Sequence, residues 1–227
     1  MTSPDKLRIL AIHGYRQSDL TFRAKIGSLR KSLKKEVDFV FVKAPHKVPP
    51  LEEAAKEEDS ETEGFGWWFN TEDRVFRAIV PSNLSVGFEE SVALIEKTFE
   101  VSGPFDGLLG FSQGASFVSI LCAMQEKKLS PIQFDFAILV SGFKSLCEPH
   151  AIYYKEVKFD LPTLHVYGEG DKIIPTTVAA ELLELFSDPK KYFIHEGGHY
   201  VPGKKNIYND FIQEMLAKKS ARKETLN

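Results

Sequence analysis

Ser112 stands in Gly110-Phe111-Ser112-Gln113-Gly114, a G-x-S-x-G pattern. Five loosely specified positions recur by chance, so the surroundings decide what the serine is for. The pattern follows an apolar run, Phe105-Asp106-Gly107-Leu108-Leu109, and opens a helical stretch, Ala115 to Met124. A serine on a sharp turn between a strand and a helix has its hydroxyl presented at the strand's end, ready to attack a carbonyl carbon. Glycine suits positions 110 and 114 because a side chain at either would collide with the neighbouring strand or helix. The start of the helix behind Ser112 also directs backbone N–H groups to where negative charge would develop.

Such a nucleophile needs a base and an acid, which follow an elbow serine in the order Asp or Glu, then His. Downstream histidines are His150, His165, His195 and His199. His165 lies mid-strand, where a core histidine is the simpler reading; His195 ends a strand; His150 follows Pro149 in a loop. His199 follows Gly197-Gly198 just past the last strand, and those glycines let the loop fold back over the strand ends. His199 is therefore the expected base. His195 and His199 are four apart, a zinc-like spacing on a helix, but the intervening glycines argue against a helix and hence against a metal. For the acid, Asp171 lies in the Gly-punctuated loop after Leu164-His165-Val166-Tyr167-Gly168, where it would orient the imidazole. Glu169 competes from the same loop. Asp160 precedes its strand and falls at the wrong end of the sheet.

The oxyanion would be held by the backbone N–H of Gln113 and by that of Tyr15, in the loop His13-Gly14-Tyr15-Arg16 after the first strand. That strand is expected to neighbour the elbow strand. His13 precedes the serine and is read as shaping this loop. Trp67, Trp68 and Phe69 form the densest aromatic cluster. They are expected either to wall an acyl pocket or to pin a long loop to the domain. Phe143, at a strand end, is a further pocket candidate.

These positions depend on the elements around them. Apolar runs predict six strands: Leu7 to His13, Val37 to Val42, Phe105 to Phe111, Phe136 to Val140, Leu161 to Tyr167 and Lys191 to His195. Helical spacing predicts helices over residues 21–35, 85–101, 113–127, 176–186 and 204–218. Alternation of the two implies crossover connections and a parallel sheet covered on both faces. Residues 44–84 show no convincing element. Within them, the acidic run at 51–63 reads as solvated and mobile. The basic tail from 218 to 227 is expected to fray.

Composition narrows the rest. The 227 residues are 43% apolar and 27% charged with a net charge of −3, fitting a single globular domain over 1–227. A chain of this size buries roughly 70% of its unfolded surface and needs no disulfide or metal. There is no strongly basic field for nucleic acid. Cys122 and Cys147 make neither a disulfide framework nor a zinc site. No apolar stretch reaches the ~20 residues of a membrane helix, and no targeting segment is visible. The expectation is a soluble, cytoplasmic protein without a cofactor, the nucleus left open and the oligomeric state unspecified.

Several blocks resemble the α/β-hydrolase superfamily, and more closely the serine-hydrolase family of the fungal FSH proteins and the animal ovarian-cancer-associated esterase. They are Ile12-His13-Gly14-Tyr15-Arg16-Gln17-Ser18, Gly66-Trp67-Trp68, and Pro104 through Gly114. Val140-Ser141-Gly142-Phe143, Gly168 through Pro175, and Gly197-Gly198-His199-Tyr200-Val201-Pro202 complete the set. The blocks span residues 7 to about 215, which marks the chain as similar to an animal member. The resemblance implies a compact hydrolase with Ser112, Asp171 and His199 at the triad positions. It implies cleavage of small-molecule carboxylic esters, with long acyl chains favoured. Two alternatives stay open: an acyl thioesterase with the same triad, and a hydrolase-fold binding module without turnover.

Overall fold

The structure, a computed structural model, describes residues 6–49, 63–187 and 190–226. The acidic run at 51–63 lies outside the described residues except for Glu63.

The six expected strands form one sheet. They are β1 (Leu7–Ile12), β2 (Val37–Val42), β5 (Gly107–Phe111), β6 (Phe136–Val140), β7 (Thr163–Gly168) and β8 (Lys191–His195). Their order is β2-β1-β5-β6-β7-β8 with every pairing parallel. Strand alternation sends Ile9 and Ala11 of β1, and Ile138 and Val140 of β6, to one face. Leu10, Ile12, Ala137 and Leu139 go to the other. Helices cover both faces. α1 (Asp19–Lys25), α2 (Gly27–Ser32) and α7 (Lys205–Leu226) pack on the first; α3 (Phe88–Ser102), α4 (Gln113–Glu126) and α6 (Thr176–Leu183) pack on the second.

Local chemistry explains where the helices begin and end. Ser18 caps α1: its hydroxyl accepts from the Thr21 N–H while the Thr21 hydroxyl accepts from the Ser18 N–H. Such a cap contributes about 1 kcal/mol. The helix expected over 21–35 is two helices, because the backbone leaves helical geometry at Ile26 (φ −92°, ψ 21°), before Gly27. The stripe of Phe22, Ile26, Leu29 and Leu33 stays buried across the break. α4 is buried over most of its surface, as a helix apolar all round must be.

Three differences from the sequence reading stand out. Residues 44–84 contain a small antiparallel pair, β3 (His46–Lys47) with β4 (Phe65–Gly66). A short 3₁₀ turn, Glu148–His150, leads into α5 (Ala151–Tyr154). Finally, α7 continues through residues 218–226, where fraying was expected. Lys219 Nζ reaches Asp106 Oδ2 at 2.8 Å and the Lys6 carbonyl at 2.9 Å, and Arg222 pairs with Asp135 through both terminal guanidinium nitrogens. Those contacts tie the tail to the N-terminal ends of β5 and β6. Among the described residues, no helix is long and apolar enough to cross a membrane.

Candidate active site

β5 ends at Phe111 and α4 begins at Gln113, so Ser112 alone makes the turn between them. Its backbone is held at φ 54° and ψ −118°, a region that costs a non-glycine residue of order 1–3 kcal/mol. The flanking glycines are sterically required. A Cβ at Gly110 would lie 2.5 Å from the Gly114 carbonyl oxygen, and one at Gly114 would lie 2.3 Å from that of Ile12. The strain is held by the Ser112 N–H bond to the Val140 carbonyl, 2.9 Å, and by Ala115 and Ser116 N–H bonds back to the Ser112 carbonyl.

The other two expected residues meet. His199 Nδ1 lies 2.7 Å from Asp171 Oδ2. The loop bearing His199 folds over the end of β7 through Glu169 N–H to the His195 carbonyl and Gly170 N–H to the Gly197 carbonyl. The His199 ring packs 4.8 Å from that of Phe111, the residue before Ser112. No hydrogen bond yet joins His199 to Ser112 Oγ among the described residues; such bonds are often long before substrate binds.

Asp171 is fixed on both oxygens. Oδ1 accepts from the N–H groups of Ile173, 2.9 Å, and Ile174, 2.8 Å; Oδ2 accepts from Ser141 Oγ, 3.0 Å, as well as serving His199. Burial by itself pushes the carboxyl up. The Ile174 amide, His199 and the Ile173 amide outweigh it and hold Asp171 below the usual carboxylate range. An ionised acceptor on Nδ1 leaves Nε2 free to take a proton. Glu169 and Asp160 make no such contact with His199 among the described residues.

Ser141 was not singled out from the sequence. It sits fully buried at the end of β6 with φ 48°. A positive φ in a serine gives no local signal, so only the three-dimensional neighbourhood reveals it.

The loop that carries Tyr15 runs beside the turn that carries Ser112 and Gln113. β1 pairs with β5 so that Ile12 faces Gly110, and a Cβ on Gly14 would come 3.0 Å from the Phe111 ring. Among the described residues, the Tyr15 and Gln113 N–H groups have no hydrogen-bond partner. His13 shapes this loop, as expected. Its Nε2 accepts from the Ala44 N–H at 3.0 Å, which leaves the proton on Nδ1 to donate to the Gly14 carbonyl, 2.7 Å. Burial lowers its pKa to about 4.

The aromatic cluster is corrected from pocket wall to core. Trp67 and Trp68 are both 0% exposed, and Phe143 is 1% exposed. Trp68 packs edge-on to Phe76, Phe88 and Phe117; Phe143 packs on Phe76. Their rings face the core, and the segment braces the loop after β1. Arg16 N–H donates to the Phe65 carbonyl and Phe65 N–H to the Gln17 carbonyl. Trp67 Nε1 donates to the His13 carbonyl, 2.8 Å. The Gln113 side chain clamps the same segment, accepting from the Trp67 N–H at 3.0 Å and donating to the Trp68 carbonyl at 2.8 Å.

The other histidines have structural places. His150 is buried between Ser85 Oγ, 2.5 Å, and Ser145 Oγ, 2.8 Å. His165 packs its ring against Phe186, its Nε2 without a partner among the described residues. His195 ends β8 and accepts from the Gly197 N–H through Nδ1. A hollow of about 350 Å³ opens beside His199, lined by Gln17, Phe22, Lys25, Phe111, Tyr200 and Val201.

Comparison with known proteins places this geometry in context. A sequence model of the family described as Serine hydrolase (FSH1) matches residues 1–211. Esterase OVCA2 of zebrafish (Danio rerio) is 44% identical over 220 residues, covering 91% of this chain and 96% of that protein. Among solved structures, esterase PE8 superposes with a TM-score of 0.61 at 18% identity, over 92% of this chain and 93% of that one. Acyl-protein thioesterase 2 of Zea mays superposes with a TM-score of 0.58 at 15% identity, over 95% of this chain and 96% of that one.

Proposed function

This chain belongs to the FSH1 serine-hydrolase family and has the α/β-hydrolase fold, and on that premise we propose that it hydrolyses carboxylic esters through Ser112, His199 and Asp171. The observation that supports this reading best is the 2.7 Å bond between His199 Nδ1 and Asp171 Oδ2, beside a serine held at positive φ.

In the proposed reaction His199 Nε2 takes the Ser112 proton as Oγ attacks the ester carbonyl. The N–H groups of Tyr15 and Gln113 receive the oxyanion. His199 then protonates the departing alcohol, and water repeats the sequence on the acyl-serine to release the acid. Asp171 keeps the imidazole in the required tautomer and stabilises it when charged. The substrate is a small-molecule acyl ester, met in the cytoplasm, and no cofactor takes part.

Intact mass after incubation with a fluorophosphonate tests the reading. One adduct on wild type that Ser112→Ala abolishes supports it, and a folded wild type that gains none sinks it. The maize neighbour's name raises acyl thioesters as substrates, and the same three residues would serve them. Kinetics on matched oxygen and sulfur esters separate the two.

A further inference from the structure

We propose that the hollow beside His199 receives the alcohol half of the ester and that Lys25 selects alcohols bearing an anionic group. This rests on the ester-hydrolase reading above.

The base that delivers a proton to the leaving oxygen must lie within hydrogen-bond reach of it. Whatever that oxygen carries therefore departs on the His199 side of Ser112. The hollow is lined there by His199 itself, with Phe111 directly before the nucleophile. Phe111, 6% exposed, gives the hollow an apolar side, and Phe22, 1% exposed, stacks against it at 6.2 Å with a 14° angle between rings and holds it in place. Tyr200 and Val201 line it from the loop that carries His199. A cavity of about 150 Å³ holds benzene, so about 350 Å³ has room for a substituted ring or a chain of similar bulk.

The polar members set the chemistry. Gln17 is already engaged, its Oε1 accepting from the Gly14 N–H at 3.3 Å. Lys25 closes α1, and among the described residues its ammonium has neither an ion pair nor a hydrogen bond. The remaining lining residues, His199 apart, carry no charge. An uncommitted cation at the edge of an apolar hollow favours a ligand with an apolar body and a carboxylate, sulfonate or phosphate at its far end.

The test compares hexanoyl esters of 3-hydroxybenzoate and 3-hydroxybenzamide, nearly isosteric alcohols that differ in charge, with each rate divided by its hydroxide-catalysed rate. The expected wild-type kcat/KM ratio is about five-fold in favour of the anion, the size of one exposed ion pair of about 1 kcal/mol, and it shrinks as salt is added. Lys25→Met brings the ratio to about one, Lys25→Glu inverts it, and Lys25→Arg keeps it. A wild-type ratio of one or below, or a preference that survives Lys25→Met, overturns the proposal. If wild type turns over neither ester, the ester reading falls by itself. Slowing of fluorophosphonate labelling of Ser112 by free 3-hydroxybenzoate then reads the hollow directly. Protection by the acid over the amide that Lys25→Met removes supports the assignment, and equal protection or none overturns it.

Discussion

Ser141 donates its hydroxyl to Asp171 Oδ2 at 3.0 Å, the same oxygen that meets His199 Nδ1 at 2.7 Å. Two donors share one carboxylate oxygen, so each tempers what the other feels. In the proposed mechanism Ser141 acts through Asp171 and is a positioning residue. Ser141→Ala should lower kcat/KM about ten-fold, the worth of one hydrogen bond to a charged group. It should also leave more negative charge facing His199, moving the acid limb of the pH profile to higher pH. A merely structural loss would lower the rate without moving that limb.

Asp171→Asn should lower kcat by of order 10⁴, the loss seen when a triad carboxylate becomes an amide and the imidazole takes the wrong tautomer. Single-turnover kinetics on an activated ester would show the loss in acylation. A drop of less than ten-fold would remove Asp171 from the role of orienting His199.

Trp68→Ala should destabilise the protein by about 3–5 kcal/mol, as for large-to-small changes in a packed core. The acyl chain-length profile of the folded fraction should match wild type, since Trp68 is 0% exposed. Urea unfolding beside an ester series from acetyl to palmitoyl checks both halves. A profile that lengthens or shortens would return Trp68 to the pocket wall.

Three buried histidines predict acid lability. Burial lowers His13 to about 4, His150 to about 4 and His165, beside Lys190, to about 3. Unfolded, each titrates near 6.5. As pH falls from about 6.5 to 4, the unfolded chain binds up to three more protons at these sites than the folded one. Their contribution to stability therefore falls by at most ~4 kcal/mol per pH unit in that window, with nothing further gained above it, and His195, also lowered by burial, adds in the same direction. Asp171 adds to this lower down, its contribution being lost as pH falls through its depressed value. Urea midpoints from pH 5 to 8 would show the slope. His165→Leu should reduce it by about one proton, since His165 Nε2 gives up no bond.

The six strands were legible because each is a short apolar run closed by a turn residue, and the strand–serine–helix turn because its glycines bracket it. Asp171 and His199 were legible for the same reason, both lying in glycine-punctuated loops at strand ends. What escaped notice depends on contacts far apart in sequence. β3 and β4 are two residues each and carry no period of their own. The break at Ile26 leaves the apolar stripe intact, so spacing does not reveal it. The tail of α7 reads as a solvated basic run until Asp106 and Asp135 are placed beneath it. The tryptophans were read for their surface, but whether a large ring faces a cleft or a core is decided by what packs around it.

The side chain of Gln113 gives the proposed catalytic machinery a property of its own. One residue carries its backbone N–H next to Ser112 and offers its carboxamide to the backbone of Trp67 and Trp68. Tyr15 is tied to the same neighbourhood, its hydroxyl accepting from the Phe76 N–H at 3.2 Å. Detachment of that aromatic segment would disturb both halves of the proposed oxyanion hole at once. Catalytic competence then behaves as an all-or-none readout of assembly: a population warmed toward melting would contain fully active and inactive molecules, with few of intermediate turnover.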